Sequence, residues 1–227
     1  MGDALRVLAL DFDGVISDSA PEAFLVALRC WDALHPGSPL APAAAALAEP
    51  LLPPLSRVRA SPVYAPFLER MPLGNRAEDY AVVLAALERD VPLPDQAAYD
   101  AFRGTHDPDA LARFHRAFYA LRHRLADADR AGWHALMAPY GELVALLRRR
   151  AGDAELAIAT AKARRSVEAL LLRYGIADLF GGGRVLDKET GVGKEAHLRQ
   201  IQQRFDVPFS WITFVDDKVN HLDAVRG

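Results

Sequence analysis

The chain has 227 residues, of which 51% are hydrophobic and 25% charged, with a formal net charge of -3. Such a composition is that of a globular protein able to bury a sizeable core, and length alone allows one large domain or two small ones. The small negative charge provides no global basic field, so neither nucleic acid nor an anionic membrane is expected as a partner.

The first residues, Met1 to Asp11, form a short apolar run broken by Asp3 and Arg6. The run is too short for a signal peptide or a membrane span. Gly2 does not begin a myristoylation motif, because Arg6 stands where Ser or Thr is needed. Cys30 is the only cysteine. It cannot close an intramolecular disulfide, and it lies in an apolar helical stretch, so it reads as a buried thiol in a cytoplasmic protein.

Arg6 to Leu10 reads as a buried strand that runs into the acidic loop Asp11-Phe12-Asp13-Gly14-Val15. From Ser19 to about Leu136 no strand is expected. Pro21 to Leu34 reads as a helix behind Ser19 as N-cap. Asn75 to Arg89 reads as a second helix capped by Asn75, and Asp107 to Ala126 as a third. Pro36 to Pro66 is rich in Pro and Ala and reads as loop or short broken helices. Beyond it, Tyr140 to Arg150 has apolar residues at helical spacing and a basic end. Glu155 to Ala159 is a second apolar strand, ending at Thr160. Helices are expected over Arg164 to Tyr174 and Lys194 to Phe205, with weak strand Arg184 to Leu186 between them and strand Trp211 to Val215 after them. Strands alternating with helices imply a parallel sheet. In such sheets ligands bind beyond the carboxyl ends of the strands, where Asp11, Thr160 and Asp216 all stand. The fold class is therefore α/β, a Rossmann-like parallel sheet core with helices on both faces. Residues 1–18 and 137–227 make that core, and 19–136 an all-helical insertion.

Four features lie at strand ends: Asp11 and Asp13 in DFDGVISDS, Thr160 in AIATAK, Lys194 in GVGKEAH, and Asp216-Asp217 in TFVDDKVNH. In this order they resemble the four motifs of the haloacid dehalogenase superfamily, whose members are mostly phosphatases. The resemblance covers about Arg6 to Ser19 and Gly141 to Asp223; the insertion matches only in position, as a cap domain. It implies a magnesium-dependent phosphohydrolase acting on a small phosphate monoester. Asp11 is then the nucleophile that forms an aspartyl-phosphate, and Asp13 the general acid/base. Thr160, with the backbone N–H groups about Ala161, would hold a phosphate oxygen, and Lys194 would neutralise nucleophile and phosphate. The implied Mg²⁺ ligands are Asp11, the backbone carbonyl of Asp13, and an acid from Asp216-Asp217. Asp217 is preferred, with the other acid in an outer role. A metal of this kind takes carboxylate and substrate oxygens and water.

Some choices stay open at this stage. Lys188 rivals Lys194 as the motif lysine, and Lys162 and Lys218 read as solvated lysines beside motifs. His221 stands where many members carry an acid or Asn. The family usually continues with one more strand and helix beyond Gly227, which would leave a sheet edge exposed. Within the superfamily, Asp13 argues against a dehalogenase. A phosphonatase needs a cap lysine for its Schiff base, and none precedes Lys162. A phosphomutase, or a non-catalytic binding module on the same fold, remains as an alternative. Arg57, Arg59, Arg113, Arg116, Arg122 and Arg124 in the insertion, like Trp31, Trp133, His106 and His115, read first as surface or packing groups. The substrate and the oligomeric state are left undefined.

Overall fold

The computed structural model describes residues 6–74, 76–191 and 193–226. The chain divides into two compact units, one of residues 1–18 and 138–227 and one of residues 19–137. No helix among the described residues is long and apolar enough to cross a membrane.

The first unit contains strands β1 (Val7–Leu10), β2 (Ser17–Asp18), β3 (Ala138–Pro139), β4 (Glu155–Ala159), β5 (Val185–Leu186) and β6 (Ile212–Val215). Four of them form a parallel sheet in the order β5-β4-β1-β6. The α/β class with a parallel sheet is thus as expected. Strand β5 begins at Val185 rather than Arg184, and Trp211 belongs to a 3₁₀ turn ahead of β6. The antiparallel pairing of β2 with β3 has no local signal, because each partner is two residues long and they lie far apart in sequence.

Strand alternation sorts the side chains onto two faces. Val7, Ala9, Ala157, Ala159 and Leu186 share one face, and Leu198 and Ile201 pack against it from the helix over Lys194–Phe205. Ile212 and Phe214 of β6 pack on the same cluster. Burying this run of small and branched residues removes their apolar surface from water, which is the main stabilising contribution.

The second unit is all helical: α1 (Ala20–Leu34), α2 (Ala41–Ala46), α3 (Leu55–Arg59), α4 (Tyr64–Arg70), α5 (Ala77–Glu88), α6 (Gln96–Arg103), α7 (Pro108–Ala128) and α8 (Arg130–Ala135). The Pro36–Pro66 stretch contains short helices, as its composition suggests. Ser19 precedes α1 but makes no side-chain capping bond, so Pro21 in the first turn is the stronger start signal there. Asn75 lies outside the described residues. Asp107 does cap α7, accepting from the N–H groups of Asp109 and Ala110. Helix α6 was not expected. Its start is marked by Asp95, whose carboxylate accepts from Ala98 N at 2.8 Å.

The core of this unit is aromatic. Phe24 packs edge-on to Tyr64 and against Phe67, with both centroid separations 5.3 Å. Glu22, 1% exposed, is matched by Arg122 through two hydrogen bonds of 2.8 and 3.0 Å. This bidentate pairing is what makes a buried carboxylate tolerable. Cys30 is buried, and burial pushes its thiol up to about 11, the state of an inert packing group. The first unit is completed by α9 (Gly141–Arg149), α10 (Arg164–Arg173), α11 (Lys194–Phe205) and α12 (Val219–Asp223).

Candidate active site

The site is built where the sheet face under α11 runs out of apolar residues. Val7 and Ala9 of β1 face α11, and two residues further on the same face carries Asp11. Ile212 and Phe214 of β6 face α11, and two residues further on lies Asp216. At the start of α11 stands Lys194. Its Nζ lies 2.8 Å from Asp11 Oδ1 and 3.0 Å from Asp216 Oδ2, and donates to the carbonyl of Ala159 at the end of β4 at 2.8 Å. One ammonium therefore ties three strand ends together. A cation at a helix N-terminus opposes the macrodipole, so the two carboxylates, not the helix, explain its position. The three side chains are 8–10% exposed or less.

Two buried carboxylates against one lysine leave the cluster short of positive charge. Burial pushes Asp11 up to about 6, against the pull of Lys194 and of the Phe12 N–H, which donates to Asp11 Oδ1 at 2.7 Å. For Asp216 burial is also the largest single influence. The Lys194 ammonium, the Lys218 N–H at 2.9 Å and His221 nonetheless hold it below the usual carboxylate range. His221 Nδ1 lies 3.0 and 3.1 Å from the two Asp216 oxygens, and its proton is thereby directed at them. Asp11, Asp216 and His221 form a group whose ligand atoms lie within 4.8 Å of one another, compatible with a metal site.

The loop after Asp11 turns within one hydrogen-bonded circuit. Asp11 N donates to Val215 O, Gly14 N to Ser17 O, and both Ile16 N and Ser17 N to Phe12 O. Gly14 sits at φ +83°, and a Cβ there would run into the Asp217 carboxylate. Phe12 is fully buried and stacks over Tyr174, whose hydroxyl meets Ser17 Oγ at 2.7 Å. This packing fixes the loop from beneath. A cleft of about 490 Å³ opens beside it, lined by Gly14, Val15, Tyr140, Glu142, Asp216 and Asp217.

The Asp13 side chain is 38% exposed and does not join the Lys194 cluster; its carboxylate is met by Lys162, at 2.9 and 3.1 Å. Thr160 is buried at the end of β4, its N–H bonded to Leu186 O and its hydroxyl accepting from Lys162 N at 3.1 Å. Ala161, next in the chain, is exposed. Lys188 is exposed, which separates it from Lys194. Asp217 lies against Gly14 and carries no ion pair among the described residues. Sequence reasoning treated Lys162 as a solvated lysine, and its burial against Asp13 is the main surprise. The usable signal was its place two residues after a strand-terminal Thr.

A family model of haloacid dehalogenase-like hydrolases matches residues 5–227. The comparison with curated proteins gives no match. Among solved structures, the chain is similar to a haloacid dehalogenase-like family hydrolase from Streptococcus pneumoniae. The TM-score is 0.55 at 12% identity, with 98% of this chain and 80% of that one covered. It is also similar to a subfamily IA, variant 1 hydrolase from Geobacter sulfurreducens PCA, with a TM-score of 0.51, 16% identity, and coverage of 97% and 82%. A protein from Lactobacillus delbrueckii subsp. bulgaricus, whose name provisionally makes it a phosphoglycolate phosphatase, matches with a TM-score of 0.53. Its identity is 14%, with coverage of 94% and 78%. At these identities the solved structures speak for the fold alone. The family match over nearly the whole sequence, together with the parallel sheet that carries Asp11, Thr160 and Asp216 at its strand ends, gives the assignment: the chain belongs to the haloacid dehalogenase-like hydrolase family.

Proposed function

We propose that the protein is a Mg²⁺-dependent phosphatase that hydrolyses a small phosphate monoester through a phosphoryl group carried on Asp11. The observation that carries this reading is the shortage of positive charge around Asp11. Two buried strand-end carboxylates, Asp11 and Asp216, share the single Lys194 ammonium, which suits a site completed by a cation.

The donor set fits Mg²⁺, which prefers carboxylate and carbonyl oxygens and keeps several waters. Asp11 Oδ1 is engaged by Phe12 N–H and Lys194, so the carboxylate would hold the metal through its other oxygen. Both oxygens of Asp216 already accept from Lys194, Lys218 N–H and His221. Asp217, beside Gly14 of the nucleophile loop, has its carboxylate available. The proposed ligands are therefore Asp11, the backbone carbonyl of Asp13, and Asp217. Asp216 holds Lys194 in place, and His221 holds Asp216, rather than binding the ion. The ion supplies charge neutralisation to the phosphoryl oxygens when bound.

The protein groups divide the remaining work. The attacking Asp11 oxygen forms a bond to phosphorus while the ester P–O bond breaks. Asp13 gives its proton to the leaving oxygen, then takes one from the water that releases inorganic phosphate from Asp11. Lys194 balances the charge passing between Asp11 and the phosphoryl group. Thr160 and the backbone after it hold a phosphoryl oxygen at the turn into α10.

Two measurements test this. Phosphate release from a panel of monoesters should require Mg²⁺ and stop on chelation; no metal-dependent release across a broad panel overturns the reading. Asp217→Asn should weaken Mg²⁺ binding at least about 10-fold by isothermal titration with little change in Tm. Asp216→Asn should instead lower Tm, because it strands the buried Lys194 contact. An unchanged Mg²⁺ affinity in Asp217→Asn would move the ligand role to Asp216.

A further inference from the structure

Lys162 stands two residues beyond Thr160, in the turn from β4 into α10. Its side chain is 7% exposed, while that of its partner Asp13 is 38% exposed. A surface lysine does not give up its hydration without a reason, because burying an ammonium group costs several kcal/mol unless a matched partner offsets it. The partner here is the Asp13 carboxylate, with both oxygens in reach of Nζ at 2.9 and 3.1 Å. The backbone N–H of the same residue donates to Thr160 Oγ1 at 3.1 Å. Lys162 thus fastens the loop after β1 to the loop after β4, across 149 residues of sequence, at the two groups to which the proposed reaction gives the proton and a phosphoryl oxygen.

We infer that Lys162 is a positioning residue for proton transfer: it orients the Asp13 carboxyl group and offsets the charge that this group gains when its proton passes to the leaving oxygen. The inference rests on the phosphatase reading above. An ammonium group has three donors and no acceptor, so it can hold Asp13 only through oxygen lone pairs. When Asp13 carries a proton, its O–H is therefore turned away from Nζ. In the first half-reaction the O–H bond of Asp13 breaks as the P–O bond to the leaving group breaks, and the electron pair of that P–O bond takes the proton. Asp13 is left as a carboxylate 2.9 Å from a buried cation. In the second half-reaction the carboxylate, still held, removes a proton from the water whose oxygen bonds to phosphorus as the Asp11–phosphorus bond breaks. The help Lys162 gives is largest where the leaving oxygen most needs a proton.

That dependence separates positioning from packing or substrate binding. The full-length protein with saturating Mg²⁺ is assayed on aryl phosphates of similar shape and graded leaving-group basicity, from p-nitrophenyl through phenyl to p-methoxyphenyl phosphate. Lys162→Met, close in volume, should lower kcat/KM about 100-fold on the basic leaving groups and less than about 10-fold on p-nitrophenyl phosphate. Lys162→Arg, which restores a cation that pairs with a carboxylate, should recover most of the wild-type leaving-group dependence. The ratio between two substrates on one preparation does not depend on how much of the variant is folded. An equal loss on every leaving group, or failure of Lys162→Arg to recover the dependence, overturns the role. If the wild-type protein releases phosphate from none of these esters, the phosphatase reading itself falls, and the role of Lys162 with it.

Discussion

Asp11→Asn should abolish Mg²⁺-dependent phosphate release, by at least about 10⁴-fold in kcat, while making the metal-free protein more stable. The two effects have one cause. The Asp11 carboxylate is the proposed nucleophile, and an amide cannot form the acyl phosphate. The same carboxylate is buried, and its folded-state value is raised from 3.8 to about 6. Below about pH 4 both folded and unfolded chains keep the proton, and the group costs nothing. Between about pH 4 and 6 the unfolded chain releases its proton while the folded one retains it, so stability falls as pH rises. Above about 6 the full penalty remains, on the order of 3 kcal/mol for a shift of this size. The amide keeps an acceptor for Lys194 and Phe12 N–H without the charge. Thermal denaturation in chelator at pH 7 should show a higher Tm for Asp11→Asn than for wild type, with the difference shrinking towards pH 4. A lower Tm at pH 7 would mean that the charge shortage inferred for the site is absent.

Lys194→Met should have the largest effect on stability of any lysine change in the chain. It leaves Asp11 and Asp216 facing each other without their shared cation, and removes the donor to Ala159 O. Breaking a buried pair in this way costs about 3–5 kcal/mol. In a chain of this size that lowers Tm by on the order of 10 °C. The exposed Lys188 provides the comparison: Lys188→Met should stay within about 0.5 kcal/mol. The double variant Lys194→Met/Asp216→Asn should be less destabilised than the sum of the two single variants, since each removes the other's partner. Chemical denaturation of wild type, the two single variants and the double variant measures this. Strict additivity would show that Lys194 and Asp216 are not coupled. Activity should also fall in Lys194→Met, because the charge passing between Asp11 and phosphorus loses its nearest protein cation.

What the sequence made readable, and what it hid, follows from how local each signal is. Glu155–Ala159 and Lys194–Phe205 form where expected because each carries its own pattern: an apolar run closed by Thr160, and an amphipathic repeat started by Gly193 at φ +89°. That Lys194 rather than Lys188 meets Asp11 and Asp216 needed the fold, but period-two alternation already placed Asp11 and Asp216 on the face that carries Ala9 and Phe214, which α11 covers. Extending that alternation past the strand ends would have singled out Asp216 as the acid nearest Lys194, and left Asp217 on the other side, against Gly14. Helix α6 was missed because it is only 8 residues long and follows the helix breakers Pro92 and Pro94, although Asp95 beyond them is a sound N-cap. The β2–β3 pairing had no local trace, and the Lys162–Asp13 contact only the place of Lys162 two residues after the strand-terminal Thr160. Both join residues more than a hundred positions apart, and only the folded chain brings their segments together.

The central claim is a covalent phosphoryl group on Asp11, and it can be observed directly. The protein is mixed with Mg²⁺ and a turned-over aryl phosphate, quenched in acid within the turnover time, digested, and the peptides are weighed by mass spectrometry. The account predicts one added phosphoryl group on the peptide that holds Asp11, absent in chelator and absent in Asp11→Asn. Rapid phosphate release with the Asp11 peptide unmodified, or the label on a different residue, would contradict it.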